Sequence, residues 1–165
     1  MKTIILIRHA KSSWAIIGQP DEERTLNERG KKDALEMAKR LKEKNISIDL
    51  FISSPAKRAK KTAKYFAEEF DVNKDDIKLV EDLYLASPAA FSKTIINLND
   101  KHETVALFAH NPGITEFASS LTQVQIDNMP TCGIFAVSAA IDKWTEFETA
   151  EKNFLFFDYP KNTAD

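Results

Sequence analysis

The 165-residue chain has one cysteine, Cys132, and three histidines. A single thiol excludes an internal disulfide framework and any cysteine-rich zinc site, and three histidines leave a multi-histidine metal centre hard to assemble. An excess of one charge sign is also missing, since 23 Lys and Arg against 25 Asp and Glu leave a net charge of −2. General nucleic-acid binders and proteins of anionic membrane surfaces carry a basic excess, so the expected partners include no nucleic acid and no membrane. No stretch approaches the roughly 18 consecutive apolar residues of a membrane span. The apolar start at residues 3–7 is cut off by Arg8-His9, short of the ~7–15 residues of a signal-peptide core. A chain that nothing exports, carrying a lone thiol, is expected in the cytoplasm.

What is present is ordinary for a globular protein, with 43% hydrophobic and 29% charged residues. Such a composition can bury a core, and a chain of this length hides about 70% of its unfolded surface. No Gly/Ser linker, internal repeat or low-complexity tract divides it, so one domain spanning residues 1–165 is expected. Strand-like runs occur at residues 4–7, 49–53 (DLFIS), 77–81 (IKLVE) and 103–109 (ETVALFA), the last being the clearest core strand. Between them, residues 27–44 place Gly30, Ala34, Met37, Ala38 and Leu41 in one narrow helical arc. Ser54-Pro55, Ser87-Pro88 and Asn111-Pro112 each offer a capping side chain followed by proline, predicting three more helix starts with proline at the first helical position. The helix after Pro55 is expected to bury Ala59, Thr62, Ala63, Phe66 and Phe70. Beyond Asn128 the texture changes to short runs at 133–139, 144–148 and 153–159, which read as an antiparallel β appendage. The alternation predicts an α/β fold, a three-layer α/β/α sandwich with a mixed, mostly parallel central sheet.

In open α/β sheets, ligands bind beyond the carboxyl ends of the strands. The first strand ends in Arg8-His9. The second leads through Ser53-Ser54 into a helix whose first turn carries Arg58, and the fourth ends in His110-Asn111. Two arginines and two histidines therefore gather at one sheet edge, a set suited to phosphate. Arginine's planar fork binds non-bridging oxygens in pairs, and a helix start at Pro112 adds amide dipoles that favour an anion. A neutral imidazole can attack phosphorus to form a covalent phosphohistidine, while a second, protonated one stabilises the transferring group. Arg58 sits among Lys57, Lys60, Lys61 and Lys64, but the helical wheel places those lysines on one solvated arc and Arg58 toward the boundary with the buried face.

Arg8-His9-Ala10, Arg58 within the segment 53–59 (SSPAKRA), and His110-Asn111-Pro112-Gly113 together resemble the signature of the histidine phosphatase superfamily, the phosphoglycerate-mutase-like proteins. More narrowly, the segment 8–14 (RHAKSSW), the segment 21–30 (DEERTLNERG), the ending 154–161 (FLFFDYPK) and the compact length are similar to its SixA-type phosphohistidine phosphatase branch. Thr25 stands where that branch commonly has proline, and Ala10 where the wider superfamily usually has glycine. The resemblance implies His9 as nucleophile, Arg8, Arg58 and His110 as the phosphate-binding pocket, and no metal or organic cofactor. The superfamily's general acid is a nearby carboxylate, and Glu81, ending the third strand, or its neighbour Asp82 is the candidate here. Asp21 and Glu22 lie on the loop after the nucleophile and read as supporting or simply exposed charges.

With only the loop 11–26 between core elements, no long lid is expected, and an open pocket suits a phosphorylated side chain on another protein. Trp14 on that loop is expected to pack rather than flank the entrance. The resulting expectation is a metal-independent phosphatase acting on protein phosphohistidine through phospho-His9. Two rivals stand beside it: a phosphomonoesterase for a small phosphate ester with Glu81 as acid, and a non-catalytic phosphate- or phosphoprotein-binding module.

Overall fold

The computed structural model describes residues 1–162. The β-branched run at residues 4–7 is the fully buried middle of β1 (Lys2–Arg8). Next comes α1 (Glu28–Glu43), with Asn27 capping its start by accepting from the Gly30 amide at 2.8 Å. Gly30 is obligatory for packing, because a Cβ there would lie 2.1 Å from the Lys11 carbonyl oxygen. That close approach seats α1 against the segment immediately after the first strand.

β2 (Leu50–Ser53), α2 (Lys57–Glu69), β3 (Lys78–Leu79), α3 (Pro88–Ile96), β4 (Thr104–Ala109), α4 (Gly113–Leu121), β5 (Ile134–Ala139) and β6 (Lys152–Asp158) complete the elements. All six strands form one sheet in the order β3-β2-β4-β1-β5-β6. β1, β2, β3 and β4 run parallel, with Ile5 opposite Ala106 and Ile52 opposite Leu107. β5 adds antiparallel to β1 and β6 antiparallel to β5. The antiparallel C-terminal part is therefore continuous with the parallel strands, giving the expected mixed sheet.

Alternation along the strands splits the core into two layers. Ile4, Leu6, Val105 and Leu107 face Phe91 and Ile95 of α3 and Ile114 and Phe117 of α4. Ile5, Ile7, Ala106 and Phe108 face Met37 and Leu41 of α1 and Ala63 and Phe66 of α2. The result is the three-layer α/β/α sandwich. Among the described residues, no helix is long and apolar enough to cross a membrane.

Local expectations depart from the structure at five places. Only Ser87-Pro88 puts proline at a helix start; α2 begins at Lys57, and Pro112 precedes α4. Ser54 and Asn111 spend their side chains on tertiary partners instead of helix amides, as described below. Residues 77–81 pair only at Lys78–Leu79, and Glu81–Leu83 turns into a short 3-10 helix. Trp144–Glu146 is likewise a 3-10 turn, because the buried Trp144 ring anchors there and its indole N–H donates to the His102 carbonyl at 2.9 Å. The helix α2 buries Ala59, Thr62, Ala63 and Phe66 as expected, while Phe70 caps its C-terminus and is only half-buried.

Candidate active site

The carboxyl ends of β1, β2 and β4 converge on a cleft of about 480 Å³ lined by Arg8, His9, Arg58 and His110 among others. The segment Arg8-His9-Ala10 is pinned from three directions. The His9 amide donates to Ala109 of β4, the Arg8 amide to Gly133, and the Cys132 amide to the carbonyls of Arg8 and His9. Ala10 is fully buried, and its amide donates to Thr62 Oγ1 at 3.0 Å, which in turn donates to the Arg58 carbonyl at 2.8 Å. One threonine thus ties the segment at the end of β1 to the helix that carries Arg58.

The two histidine rings lie with centroids 5.1 Å apart. His9 Nδ1 sits 2.7 Å from the Ala10 carbonyl oxygen. A carbonyl only accepts, so the neutral ring carries its proton on Nδ1 and its lone pair on Nε2. His110 Nε2 sits 2.7 Å from Ser54 Oγ, and that hydroxyl oxygen accepts from the Ala56 amide. Among the described residues, the buried side-chain nitrogens and oxygens without a partner are Arg8 Nε and His110 Nδ1. Both belong to residues lining the cleft. Unpaired buried polar groups are costly, and an anion accepting from both would satisfy them.

Arg58 is 4% exposed, so it belongs to the buried face of α2 and not to its lysine face. Its guanidinium donates from Nη1 to the Asp21 carbonyl at 2.7 Å and from Nη2 to Asp21 Oδ2 at 2.9 Å. Two of its five N–H groups are engaged in this way, and Arg58 lines the cleft. Asp21 also accepts from Tyr84 Oη at 2.6 Å and from Arg24 Nη1 at 3.1 Å. Burial works against its charge, but these hydrogen bonds outweigh it and hold the Asp21 carboxyl well below the usual range. The Tyr84 ring stands edge-on to His110, centroids 5.6 Å apart. Arg8 is fixed on its other side by donating from Nη1 to the Met129 carbonyl at 2.9 Å, an oxygen that also accepts from Asn111 Nδ2 at 3.0 Å.

Burial lowers the pKa of His9 to about 3, and the charges of Arg8 and Arg58 act in the same direction. Burial also lowers His110 to about 3, reinforced by His9 and Arg58. Both rings are therefore neutral at pH 7, the state in which an imidazole can act as a nucleophile. Both folded-state values lie below the unfolded one, so the unfolded chain takes up more protons between roughly pH 6.5 and 3. Stability is full above pH 6.5 and falls on acidification by up to about 1.4 kcal/mol per pH unit for each histidine. Asp21 loses its contribution only below the ordinary aspartate range. Urea unfolding from pH 7 to 4.5 is expected to show this decline, and His110→Gln to make it shallower. A flat profile would exclude the buried neutral pair.

Arg8, His9, Arg58 and His110, all chosen from the sequence, meet in one cleft. Glu81 does not join them. It is exposed in the turn after β3 and is not among the lining residues, while Leu85 from the same segment is. Asp82 is also exposed and lies 3.9 Å from Lys93. Trp14 lines the entrance, 77% exposed, with the Arg24 guanidinium 3.2 Å from its ring centroid, instead of packing inside. Asp21 is a supporting residue through its hold on Arg58. Arg24, Tyr84 and Ser54 were not assigned from sequence. Arg24 and Ser54 lie inside the quoted motif segments, whereas Tyr84 has no local signal.

Residues 4–84 match the family model of the histidine phosphatase superfamily (branch 1). That match spans 81 of the 165 residues, just under half of the chain, so the likeness to this superfamily of phosphatase- and mutase-type enzymes lies in the N-terminal half. A chloroplastic protein of Arabidopsis thaliana is 28% identical over 153 residues, covering 88% of this chain and 70% of that one. A 2,3-bisphosphoglycerate-dependent phosphoglycerate mutase of Bartonella tribocorum is 31% identical over 88 residues, covering 51% and 41% of the two chains. The structure of the protein histidine phosphatase SixA complexed with tungstate shares the fold, with a TM-score of 0.81 at 20% identity, covering 97% of this chain and 98% of that one.

Proposed function

We propose that this protein is a metal-independent phosphatase that removes the phosphoryl group from phosphohistidine in a partner protein. The observation that carries this reading is the charge of the cleft. Arg8, Lys11, Arg24 and Arg58 line it, and among the described residues none of its lining side chains is a carboxylate. An alkoxide leaving group needs a proton from a positioned acid, whereas imidazole departs far more readily. A cleft of four cations without an acid is matched to the second case. The likeness in fold to a protein histidine phosphatase, and that structure's complex with an oxyanion, support the same reading. The single, fully buried Cys132 suits the reducing cytoplasm.

In the proposed reaction the phosphoryl oxygens are held by Arg8, Arg58 and His110, with His110 protonating beside the bound anion. His9 Nε2 attacks phosphorus in line as the P–N bond to the substrate breaks. The departing imidazole takes that bond's electron pair and gains a proton from solvent at the open mouth. Water then attacks phospho-His9, the second P–N bond breaks, and phosphate leaves with His9 again neutral.

Turnover of a histidine-phosphorylated protein, compared with a panel of small phosphate esters, tests the assignment. The phosphohistidine protein is expected to be the better substrate, with Glu81→Gln changing its rate by less than about twofold. If Glu81→Gln slows both classes alike, Glu81 acts as an acid and the leaving-group argument fails. Faster turnover of one ester than of the phosphoprotein assigns a small-molecule phosphomonoesterase. Uniformly negligible rates with tight phosphate binding assign a binding module.

A further inference from the structure

Four large apolar side chains are exposed around one place. Trp14, Ile16 and Ile17 are 77%, 64% and 99% exposed on the loop that follows the nucleophile, and Leu85 is 59% exposed. Trp14 and Leu85 line the cleft, whereas Ile16 and Ile17 stand beyond its lining residues. A ligand contained in the cleft does not reach the two isoleucines. A protein bearing the phosphoryl group would.

The loop is firmly built. Its base closes through a bridge between Ser12 and Leu26 and a 2.7 Å hydrogen bond from the Ser13 amide to the Thr25 carbonyl. Arg24 donates from Nε to the Ser13 carbonyl at 3.1 Å while its guanidinium covers Trp14. Asp21 fastens the returning limb to Arg58 and Tyr84. At the tip, Gly18 turns the chain with φ +77°, a conformation that side chains resist. Two isoleucines are thereby held in water on an anchored support beside a cationic cleft. An exposed apolar cluster at a binding site marks an interaction surface.

We propose that the tip formed by Trp14, Ile16 and Ile17, with Leu85, docks the phosphorylated partner protein by contacting an apolar patch that flanks its phosphorylated side chain. The occupant follows from complementarity. The phosphoryl anion enters the cleft of Arg8, Lys11, Arg24 and Arg58, and apolar surface next to it meets the tip. An anionic bilayer fits less well, because the exposed Glu22 follows four residues after the Gly18 turn and would be driven against like charge. This docking surface rests on the phosphohistidine reading and adds to it the chemistry of the substrate's surroundings.

Two chemically phosphorylated peptides test it, each with a central phosphohistidine, one flanked by leucine and phenylalanine and the other by serine. The protein is expected to prefer the apolar-flanked peptide by tenfold or more in kcat/KM. Ile16→Ser combined with Ile17→Ser is expected to erase that preference while leaving the serine-flanked rate within about twofold. Both positions are exposed, so the double variant keeps its fold. Equal rates on the two peptides overturn the docking surface and leave the phosphohistidine reading standing. An equal loss on both peptides in the double variant also overturns it, since the tip would then be shaping the cleft. Turnover of small esters but of neither peptide overturns the functional reading and the docking surface with it. Sedimentation of the wild type, but not the double variant, with phosphatidylserine vesicles assigns the tip to lipid instead.

Discussion

His9→Ala is expected to reduce turnover by at least ~10⁴-fold, the scale seen when a covalent nucleophile is deleted. No neighbouring group can replace it. His110, the nearest imidazole, has its Nε2 engaged with Ser54 and in the proposed reaction is protonated, so that its Nδ1 donates to the phosphoryl group. The other lining nitrogens belong to charged arginine and lysine side chains, amides or the Trp14 indole. The substitution leaves the fold intact because the backbone of residues 8–10 is held by Ala109, Gly133, Cys132 and Thr62, none of which uses the imidazole. Circular dichroism should therefore match the wild type. A rapid acid-free quench with ³²P-labelled substrate should trap a labelled, acid-labile protein for the wild type and none for His9→Ala. Retained turnover, or label that persists in the variant, would remove His9 from the mechanism.

Arg58→Lys is expected to lower kcat/KM by ~10²–10³-fold, comparable to removing one donor that stabilises transition-state charge. The charge is conserved in this change, so the loss isolates geometry. The fork of Arg58 serves two sides at once, donating two N–H groups to Asp21 while lining the cleft. An ammonium at the end of a flexible stem can satisfy the carboxylate or the phosphoryl group but not both in fixed orientation. Stability should change little, because Asp21 keeps its hydrogen bonds from Tyr84 and Arg24. A lysine variant with wild-type kcat/KM would show that Arg58 acts only as a diffuse charge, and the phosphate would then be oriented by Arg8 and His110 alone.

The parts of the molecule legible in the sequence are those where a local pattern and the tertiary demand coincide. Residues 4–7 are apolar on both faces because β1 lies between two helical layers, so a continuous run is all the strand can be. The arc from Gly30 to Leu41 marks α1 because one helix face meets the sheet. Strand ends could be located from those runs, and with them Arg8, His9 and His110. Arg58 needed the additional argument of the helical wheel.

What was misread shares a physical cause, namely side chains diverted from local to distant partners. Ser54 looks like a cap but its hydroxyl belongs to His110. Asn111 looks like a cap but joins Met129 and Asn128 and accepts from Thr115. Asp21 cannot be told from Glu22 and Glu23 by sequence, since only folding decides which carboxylate meets Arg58. Glu81 is the last position of a strand-like run, yet the strand stops at Leu79 and the turn leaves the carboxylate exposed in solvent.

The placement of β1 between a parallel and an antiparallel neighbour has a consequence for how such a protein can diversify. Its last residues are clamped by backbone bonds that no side chain on the loop 12–26 supplies, apart from what reaches Arg58 through Asp21. Under the proposed docking role, partner choice would reside at the tip of the loop, in Ile16 and Ile17, which do not line the cleft. Substitutions at Ile16 or Ile17 would then redirect the protein to a different phosphorylated surface while the His9 imidazole keeps its position. A duplicated copy could acquire a new client through changes confined to a few loop codons.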